Sequence, residues 1–277
     1  MAVLLEKSST YIFNSDTVAG AQNVSADGSM FQVTTASPIT IPRDAIDCKI
    51  GVIQANIWNT SPNIAVAFSN NLFKFTTTVA PAGTHTITIP DGLYSVAALT
   101  SYLSSQFVNL TYPSNLITIA GDDATGFSTV TFLTSGDSAD FTIANTVRDI
   151  LGFAAVVITA PSANYTFFST SQAQFNRVNS YIIASNIVAN GIQVNSNPTG
   201  IIATVPIDAP PGSQIAYSPQ NIAWFSGDEM IGSSKSNFMF MLQDQNLRAT
   251  PTGGNTWSFT LVISYSKFLS TGVLIKS

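Results

Sequence analysis

Few side chains in this sequence could carry out acid–base or metal chemistry, and most of them stand alone. The chain contains one histidine, His85, and one cysteine, Cys48. A zinc site made of the usual histidine and cysteine ligands therefore cannot form within one copy of the chain. His85 alternates with threonines in a strand-like run, without a nucleophile or carboxylate beside it. We interpret it as a surface strand residue rather than a general base.

The cysteine and the glutamates are equally isolated. Cys48 has no second cysteine with which to form an intrachain disulfide, and it starts an apolar run, so we predict a buried structural thiol. The two glutamates, Glu6 and Glu229, fall in the N-terminal segment and in a loop. A hydrolase that uses paired carboxylates would therefore have to use aspartates, and the spacing of the aspartates does not require such a site.

Two aspartate pairs are the remaining candidates for a metal site. Asp122 and Asp123, and likewise Asp137 and Asp140, lie in predicted turns, and calcium favours clustered oxygen ligands of this kind. Their spacing does not match an EF-hand loop, so we interpret them as solvated carboxylates that end strands. We assign no catalytic, cofactor-binding or metal-binding residue, and we expect no cofactor and no enzymatic activity.

Three aromatic residues support an alternative function. If Trp58, Trp224 and Tyr217 were exposed together, they could form a platform for a sugar ring, as in a receptor-binding or carbohydrate-binding sandwich. Tryptophan in a β-sandwich more often belongs to the core. This alternative therefore depends on the three rings sharing one exposed surface.

The composition is unusually poor in charge. Charged residues make up 9% of the 277 residues and apolar residues 45%. Neutral surfaces suit a protein that is covered by copies of itself, because buried charges are costly to desolvate. An extracellular β protein with a Ser/Thr-rich exterior is the alternative. The net charge of −5, without a cluster of basic residues, argues against direct binding of nucleic acid.

No targeting or membrane segment is recognisable in the sequence. The apolar stretch at the N-terminus is too short for a signal peptide, and no apolar run approaches the roughly 20 residues of a membrane helix. We expect a soluble protein that is synthesised in a cytoplasm.

Alternating and apolar runs predict a protein made mainly of strands. Residues 30–41 form a strand pattern broken by Pro38, which predicts an edge strand or a bulge. Residues 48–58 are apolar on both faces, which predicts a strand in the middle of a sheet. Residues 237–265 contain two long alternating runs, which we interpret as an antiparallel pair covering a sandwich interior.

Helical patterns are confined to residues 87–153. Ser95 can cap a helix whose apolar positions repeat every three to four residues, namely Val96, Leu99, Leu103 and Phe107. A second, shorter helix is predicted to follow a capping box formed by Thr146 and Asp149 and to stop at Gly152. We interpret this stretch as a small α+β unit within a β protein.

These patterns predict a mainly β fold, an antiparallel jelly-roll β-sandwich with a small α+β insertion. The expected parts are an N-terminal arm (1–28), a sandwich (29–80 with 156–277) and the insertion (81–155). The alternative is two tandem jelly rolls, at 1–155 and 156–277. The lack of a helical counterpart after residue 156 favours a single sandwich.

Eight short segments, spread over nearly the whole chain, resemble one group of proteins. In chain order they are Asn14-Ser15-Asp16, Ser29-Met30-Phe31-Gln32-Val33, Ile39-Thr40-Ile41-Pro42, Trp58-Asn59-Thr60-Ser61-Pro62-Asn63-Ile64, Ile89-Pro90-Asp91-Gly92-Leu93-Tyr94-Ser95, Ile150-Leu151-Gly152-Phe153, Leu242-Gln243-Asp244-Gln245 and Trp257-Ser258-Phe259-Thr260-Leu261. The set resembles virion proteins of Polinton-like elements and of tailless icosahedral DNA viruses, whose capsid proteins are typically jelly rolls.

The resemblance implies a structural role in an icosahedral capsid, as a major capsid protein or as a penton or minor component. It implies partners that are copies of this chain, in a trimer or pentamer, together with other capsid proteins. It also implies a location in the virion after synthesis in the host cytoplasm. No catalytic residue is implied, and the presence of an internal membrane is left open.

Overall fold

The chain folds into two compact units. The structure is a computed structural model that describes residues 3–122, 124–175, 178–188, 193–194, 197–198 and 200–269. Unit 1 is formed by Met1–Ser61 together with Val178–Ser277, and unit 2 by Pro62–Arg177. Unit 2 is therefore inserted into the sequence of unit 1.

The strands are numbered here in chain order. They are β1 (Val3–Asn14), β2 (Met30–Thr40), β3 (Ala45–Trp58), β4 (Leu72–Thr77), β5 (Gly83–Thr88), β6 (Ile117–Gly121), β7 (Phe127–Phe132), β8 (Ser138–Asp140), β9 (Val157–Thr159), β10 (Tyr165–Gln172), β11 (Ser180–Ser185), β12 (Gln193–Val194), β13 (Asn197–Pro198), β14 (Ile201–Pro206), β15 (Gln214–Tyr217), β16 (Phe225–Ser226), β17 (Ser234–Asp244) and β18 (Ser258–Leu269). The helices are α1 (Val96–Asn109), α2 (Arg148–Leu151) and two 3₁₀ turns, Val66–Phe68 and Asp228–Met230.

Unit 1 is a jelly roll by the order of its strands. One sheet has the order β1-β18-β3-β15, with β16 also pairing with β3, and the other has the order β14-β11-β17-β2. If the eight longer strands of the unit are counted in chain order, the first pairs with the eighth, the second with the seventh, the third with the sixth and the fourth with the fifth. This nested pairing is that of a long hairpin rolled into two facing sheets, which is the jelly-roll arrangement.

The two sheets of unit 1 enclose an aromatic core. Phe240 on β17 lies 4.5 Å from Phe13, 5.3 Å from Phe31 and 4.9 Å from Phe259, measured between ring centroids. Phe13 and Phe259 belong to one sheet, whereas Phe31 and Phe240 belong to the other. Period-two alternation places these rings on the inner faces, where both sheets contribute to one core.

The predicted antiparallel pairing within residues 237–265 is wrong. β17 pairs with β11 and β2, while β18 pairs with β1 and β3, so the two strands lie in different sheets. Both strands have an apolar face because they face each other across the core, not because they lie side by side. Alternation reveals the buried face of a strand but not its neighbours.

The other strand predictions are confirmed. β2, which contains Pro38, is an edge strand, and its register with β17 shifts between Lys235 and Asn237. β3 lies between β18 and β15 within its sheet. The missing N–H of proline explains the edge position. The inward residues of β3, such as Ile50 and Ile57, are buried, whereas Lys49 and Gln54 on its outward face are exposed.

The units do not follow the boundaries expected from the sequence. The first part of the expected arm, residues 3–14, is β1 and pairs with β18 along its whole length. Unit 2 begins at Pro62 rather than at residue 81, and it ends at Arg177 rather than at residue 155. The difference arises because β4, β9 and β10 pair within the two sheets of unit 2.

Unit 2 is an α+β unit with a core of its own. Its sheets have the orders β5-β4-β8-β9 and β10-β7-β6, which lack the nested pairing of a jelly roll. Helix α1 buries Leu99, Leu103 and Phe107, and the Phe107 ring packs at 5.2 Å against Phe75 of β4. In the described part of the chain, unit 1 is therefore a jelly roll and unit 2 an α+β insertion.

Two of the three predictions about helix ends are confirmed. The Ser95 hydroxyl accepts a hydrogen bond from the Ala98 N–H at 3.1 Å, which confirms the predicted cap of α1. Gly152 follows α2 in the left-handed conformation (φ 77°), as predicted. The capping box is wrong: the Thr146 hydroxyl donates to the carbonyl of Ile143 instead, and α2 begins only at Arg148.

Within the described part of the chain, none of the helices has the length and apolarity that a membrane crossing requires.

Candidate functional site

His85 is half-buried within unit 2 and has a hydrogen-bonding partner, so it is not an isolated surface residue. Its Nε2 lies 2.7 Å from the hydroxyl of Tyr112, and that hydroxyl donates to the carbonyl of Pro81. Because the tyrosine proton is used in this way, His85 Nε2 carries a hydrogen and acts as the donor. The imidazole also stacks on Phe75. These contacts tie the β4–β5 hairpin to the segment after α1.

The cysteine and the glutamates all lie in unit 1, where the Cys48 N–H donates to Asp228 in the 3₁₀ turn that also contains Glu229. Cys48 is buried in the core of unit 1, which confirms the prediction of a structural thiol. Burial, together with the nearby charges of Asp228 and Asp47, raises the pKa of the thiol to about 11, so it is protonated and unreactive near neutral pH. Glu6 on β1 accepts a hydrogen bond from the Ser264 hydroxyl, whereas Glu229 lies in a 3₁₀ turn.

The described aspartates of the two predicted pairs each have their own hydrogen-bonding or ion-pair partners. Asp122 accepts hydrogen bonds from the Ala124 N–H and the Thr125 hydroxyl within its own turn. These bonds, with a small opposing effect of burial, hold the pKa of Asp122 below its usual value. Its predicted companion, Asp123, lies outside the described residues.

The second pair is also divided between different partners. The Oδ1 of Asp137 accepts from the Thr77 hydroxyl and from the N–H and hydroxyl of Thr78, while its buried Oδ2 has no partner. Asp140 forms an ion pair with Lys74 at 3.2 Å. Among the residues that the structure describes, no three His, Cys, Asp or Glu side chains come together as metal ligands.

The three candidate platform aromatics do not share one surface. Trp58 is 37% exposed at the end of β3, and Trp224 is 44% exposed. Trp224 lies over Gly51, with its Cε3 3.1 Å from the position of a Cβ on that glycine. Gly51 and Trp58 are seven residues apart on one strand, which is about 23 Å. Tyr217 lies opposite Ala55 and packs against the core.

The edges of the jelly roll form a more distinctive feature, because three of its four edge strands are protected. The edge of β2 carries Pro38, and Gln22 exchanges backbone hydrogen bonds of 2.7 and 2.8 Å with Gln32 of that strand. β14 has six residues and ends at Pro206, while β15 has only four residues. Short edges and prolines are the usual means by which sheets avoid pairing with other chains.

β1 has none of these protections. It has twelve residues, it contains neither proline nor glycine, and its register with β18 is unbroken. Within the described ranges, no backbone–backbone hydrogen bond reaches its outer edge. A long, regular and uncovered edge is a ready template for another strand.

The side chains of β1 are also unusually exposed. Ile12 is 77% exposed, and Leu4 is 55% exposed beside its cross-strand neighbour Phe268, which is 53% exposed. Lys7 and Ser9 are exposed although they lie on the face that turns toward the core. We name the outer edge of β1, with its side chains from Leu4 to Ile12, the open edge.

Our sequence interpretation missed the open edge. The central residues of β1, from Glu6 to Thr10, are all polar, which made the segment resemble a loose arm. The usable signal was a run of twelve residues without proline or glycine that is apolar at both ends.

No protein-family model matches the chain, and no curated protein matches it. Twenty chains of solved structures match. One of them is a crystal structure of SeMet-labeled mavirus penton protein, with a TM-score of 0.49 and 10% sequence identity over 94% of this chain and 100% of that chain.

Proposed function

We propose that this protein is a structural subunit of an icosahedral virion shell, which works by assembling with copies of itself and with other capsid proteins. The observation that carries the proposal is the nested strand pairing of unit 1, which forms a jelly roll in the chain that also contains the eight family-like segments. A fold alone does not define a function, so the position of those segments in the structure matters.

Four of the segments contain residues that hold the jelly roll together, whereas the segments at 89–95 and 150–153 lie in unit 2. The Trp257 N–H donates to the Ser15 hydroxyl at 2.9 Å, and the Trp257 indole N–H donates to the carbonyl of Gly28 at 3.0 Å. The N–H of Leu242 donates to the carbonyl of Ser29 at 2.7 Å. Segments that are distant in sequence thus contact one another in space. The resemblance therefore concerns a shared architecture rather than scattered short matches.

The low charge of the chain also supports assembly. With charged residues at 9% of the sequence, much of its surface can be buried against neighbours without leaving ions unpaired. Interfaces between permanently associated subunits are depleted in charge in the same way. The proposal includes neither catalysis nor direct contact with nucleic acid, and it places the protein in the virion after synthesis in the host cytoplasm.

Within the shell, we assign this chain to the penton or minor capsid components. A double jelly-roll major capsid protein requires two rolls, whereas the strand order of unit 2 is not that of a roll. One jelly roll with an inserted α+β unit fits a subunit that contributes a single sandwich to the shell and carries unit 2 as an additional domain.

Native mass spectrometry of the purified chain over a range of protein and salt concentrations tests the proposal. We expect a closed trimer or pentamer that persists at high salt, because a charge-poor interface is little affected by screening. A protein that stays monomeric at micromolar concentrations under all salt conditions would overturn the proposal.

A further inference from the structure

We propose that the open edge of β1 pairs with the open edge of a second copy of this chain, antiparallel, about a two-fold axis that passes through Ser8. The two strands would join two sheets into one continuous sheet. A closed ring of three or five copies has no two-fold axis between its members, so this contact would join copies that belong to different rings. The inference rests on β1 alone, so it goes beyond the shell proposal and can hold or fail independently of it.

The hydrogen-bonding groups of the open edge can be identified. The Ser15 N–H donates to the carbonyl of Trp257 at 2.9 Å, directly beyond the register of β1 with β18. In an antiparallel pair such bonded residues alternate along the strand. The odd-numbered residues of β1 therefore turn their backbone groups toward β18, and the even-numbered residues turn theirs toward the open edge.

The sequence of β1 is self-complementary about Ser8. A two-fold axis there places Leu4 opposite Ile12, Leu5 opposite Tyr11, Glu6 opposite Thr10 and Lys7 opposite Ser9. The exposed apolar side chains of Leu4 and Ile12 then cover each other on the outer face. Directly opposed apolar pairs of this kind stabilise antiparallel sheets.

Neighbouring registers are worse for identifiable reasons. An axis at Glu6 or at Lys7 places each of these charges directly opposite its own copy, which is destabilising. An axis at Ser9 places Glu6 opposite Ile12 and leaves Leu4 opposite Asn14. The Ser8 register places no charge opposite its own copy and no charge opposite an apolar residue. It also pairs even-numbered residues, whose backbone groups point to the open edge, with one another, which allows about ten backbone hydrogen bonds between the copies. This self-complementarity is why we assign the edge to a second copy and not to an unrelated strand.

A pair of cysteine variants tests the register directly. In Ser8→Cys, the new thiols of the two copies face each other across the axis at a Cα separation of about 5.5 Å, which suits a disulfide. In the matched control Thr10→Cys, on the same face of the strand, the two substituted residues lie about 14 Å apart and cannot form a disulfide. Both positions are exposed, so the fold should be kept, and the native Cys48 is buried.

We expect Ser8→Cys to give a covalent dimer under mild oxidation on a non-reducing gel, and Thr10→Cys to stay a single chain. Equal cross-linking of the two variants, or no cross-linking of either, would overturn the inference. Circular dichroism of both variants verifies that each is folded.

A charge exchange in the Ser8→Cys background provides a second test. Leu4→Lys with Ile12→Lys places lysine opposite lysine in both halves of the contact, so the covalent dimer should be lost. Leu4→Lys with Ile12→Glu places opposite charges together, so the dimer should return. If both double variants behave alike, the proposed register is wrong.

These outcomes separate the two proposals. A closed ring without cross-linking of Ser8→Cys would remove the two-fold contact and leave the shell proposal in place. Cross-linking of Ser8→Cys in a protein that never forms a ring would support the two-fold contact and overturn the shell proposal.

Discussion

The two units of this chain differ in the contacts that stabilise each of them internally. The core of unit 1 combines aliphatic side chains with aromatic rings, and those rings come from strands at opposite ends of the sequence, such as Phe13 and Phe259. Unit 2 also has an apolar core, but buried polar side chains fasten its loops. The amide of Asn63 donates to the carbonyls of Tyr94 and Phe175 at 2.7 and 2.9 Å, and its oxygen accepts from the Tyr94 N–H at 2.8 Å.

The difference shows how each unit is specified. In unit 1, inward apolar side chains pack against those of the facing sheet, and polar side chains such as Ser15 and Asp27 fasten the segments between strands. Irregular loops have no ladder to satisfy their backbone groups, so side chains such as Asn63 and Asn70 must do so. We therefore expect loss of apolar volume to be most costly between the facing sheets of unit 1, and loss of a single hydrogen-bonding group to be costly in the loops of unit 2.

Removal of an aromatic ring from unit 1 should have the largest effect. Phe240→Ala deletes a fully buried ring that contacts Phe13, Phe31 and Phe259, and it should cost about 3–5 kcal/mol of unfolding free energy. Urea denaturation measures the loss. Met239→Ala, the outward-facing neighbour, is the control and should change stability much less. Equal effects at the two positions would contradict the described core.

Removal of a buried amide from unit 2 should rank second. Asn63→Ala leaves two carbonyls and one N–H unsatisfied, so we expect a loss of about 2–4 kcal/mol. Hydrogen exchange should show faster opening around Tyr94. Asn109→Ala, at an exposed position near the end of α1, serves as the matched control. If the control loses as much stability as Asn63→Ala, the buried amide does not fasten the loops.

The cap of α1 should have a smaller effect. Ser95→Ala removes the acceptor for the Ala98 N–H and should cost about 1 kcal/mol. Ser95→Asp supplies another acceptor at the same place and should recover most of the loss in thermal denaturation. A failure of Ser95→Asp to recover stability would show that the hydroxyl acts in some way other than capping.

The smallest expected effect is a pH dependence in unit 1. Burial raises the pKa of Asp27, but hydrogen bonds from the Ser25 hydroxyl and from the hydroxyl and N–H of Ser29 outweigh it, and the pKa is lowered. A folded pKa below the unfolded value means that the ionised carboxylate stabilises the fold above about pH 4. This stabilisation is lost as the pH falls through the folded pKa.

Asp27→Asn should therefore be less stable than the natural chain near neutral pH, and the gap should narrow in acid. Chemical denaturation at a series of pH values measures it. A difference in unfolding free energy between the two proteins that stays constant as the pH falls well below about 4 would contradict this account of Asp27.

Much of the local structure could be predicted from residue patterns. The Ser95 cap, the buried face of α1, the central position of β3 and the edge position of the Pro38 strand all follow from short-range rules, and the structure confirms them. Each depends on the side chain or backbone of a few adjacent residues. Such features need no knowledge of the partner strands.

The long-range arrangement could not be predicted in the same way. Alternation in β17 and β18 gave the buried faces correctly but not the sheet to which each strand belongs. The polar centre of β1 hid a strand, because an edge exposed on both faces has no reason to be apolar. The candidate carboxylates gave no combined site because each has its own partner: Asp122 bonds within its turn, whereas Asp140 pairs with Lys74 of another strand.

Electron cryomicroscopy of the assembled chain tests the central claim of a shell-forming jelly-roll subunit most directly. We predict class averages of closed rings with three or five copies, each contributing one sandwich to the ring wall. Single separate copies, or open-ended filaments without a closed ring, would contradict the claim.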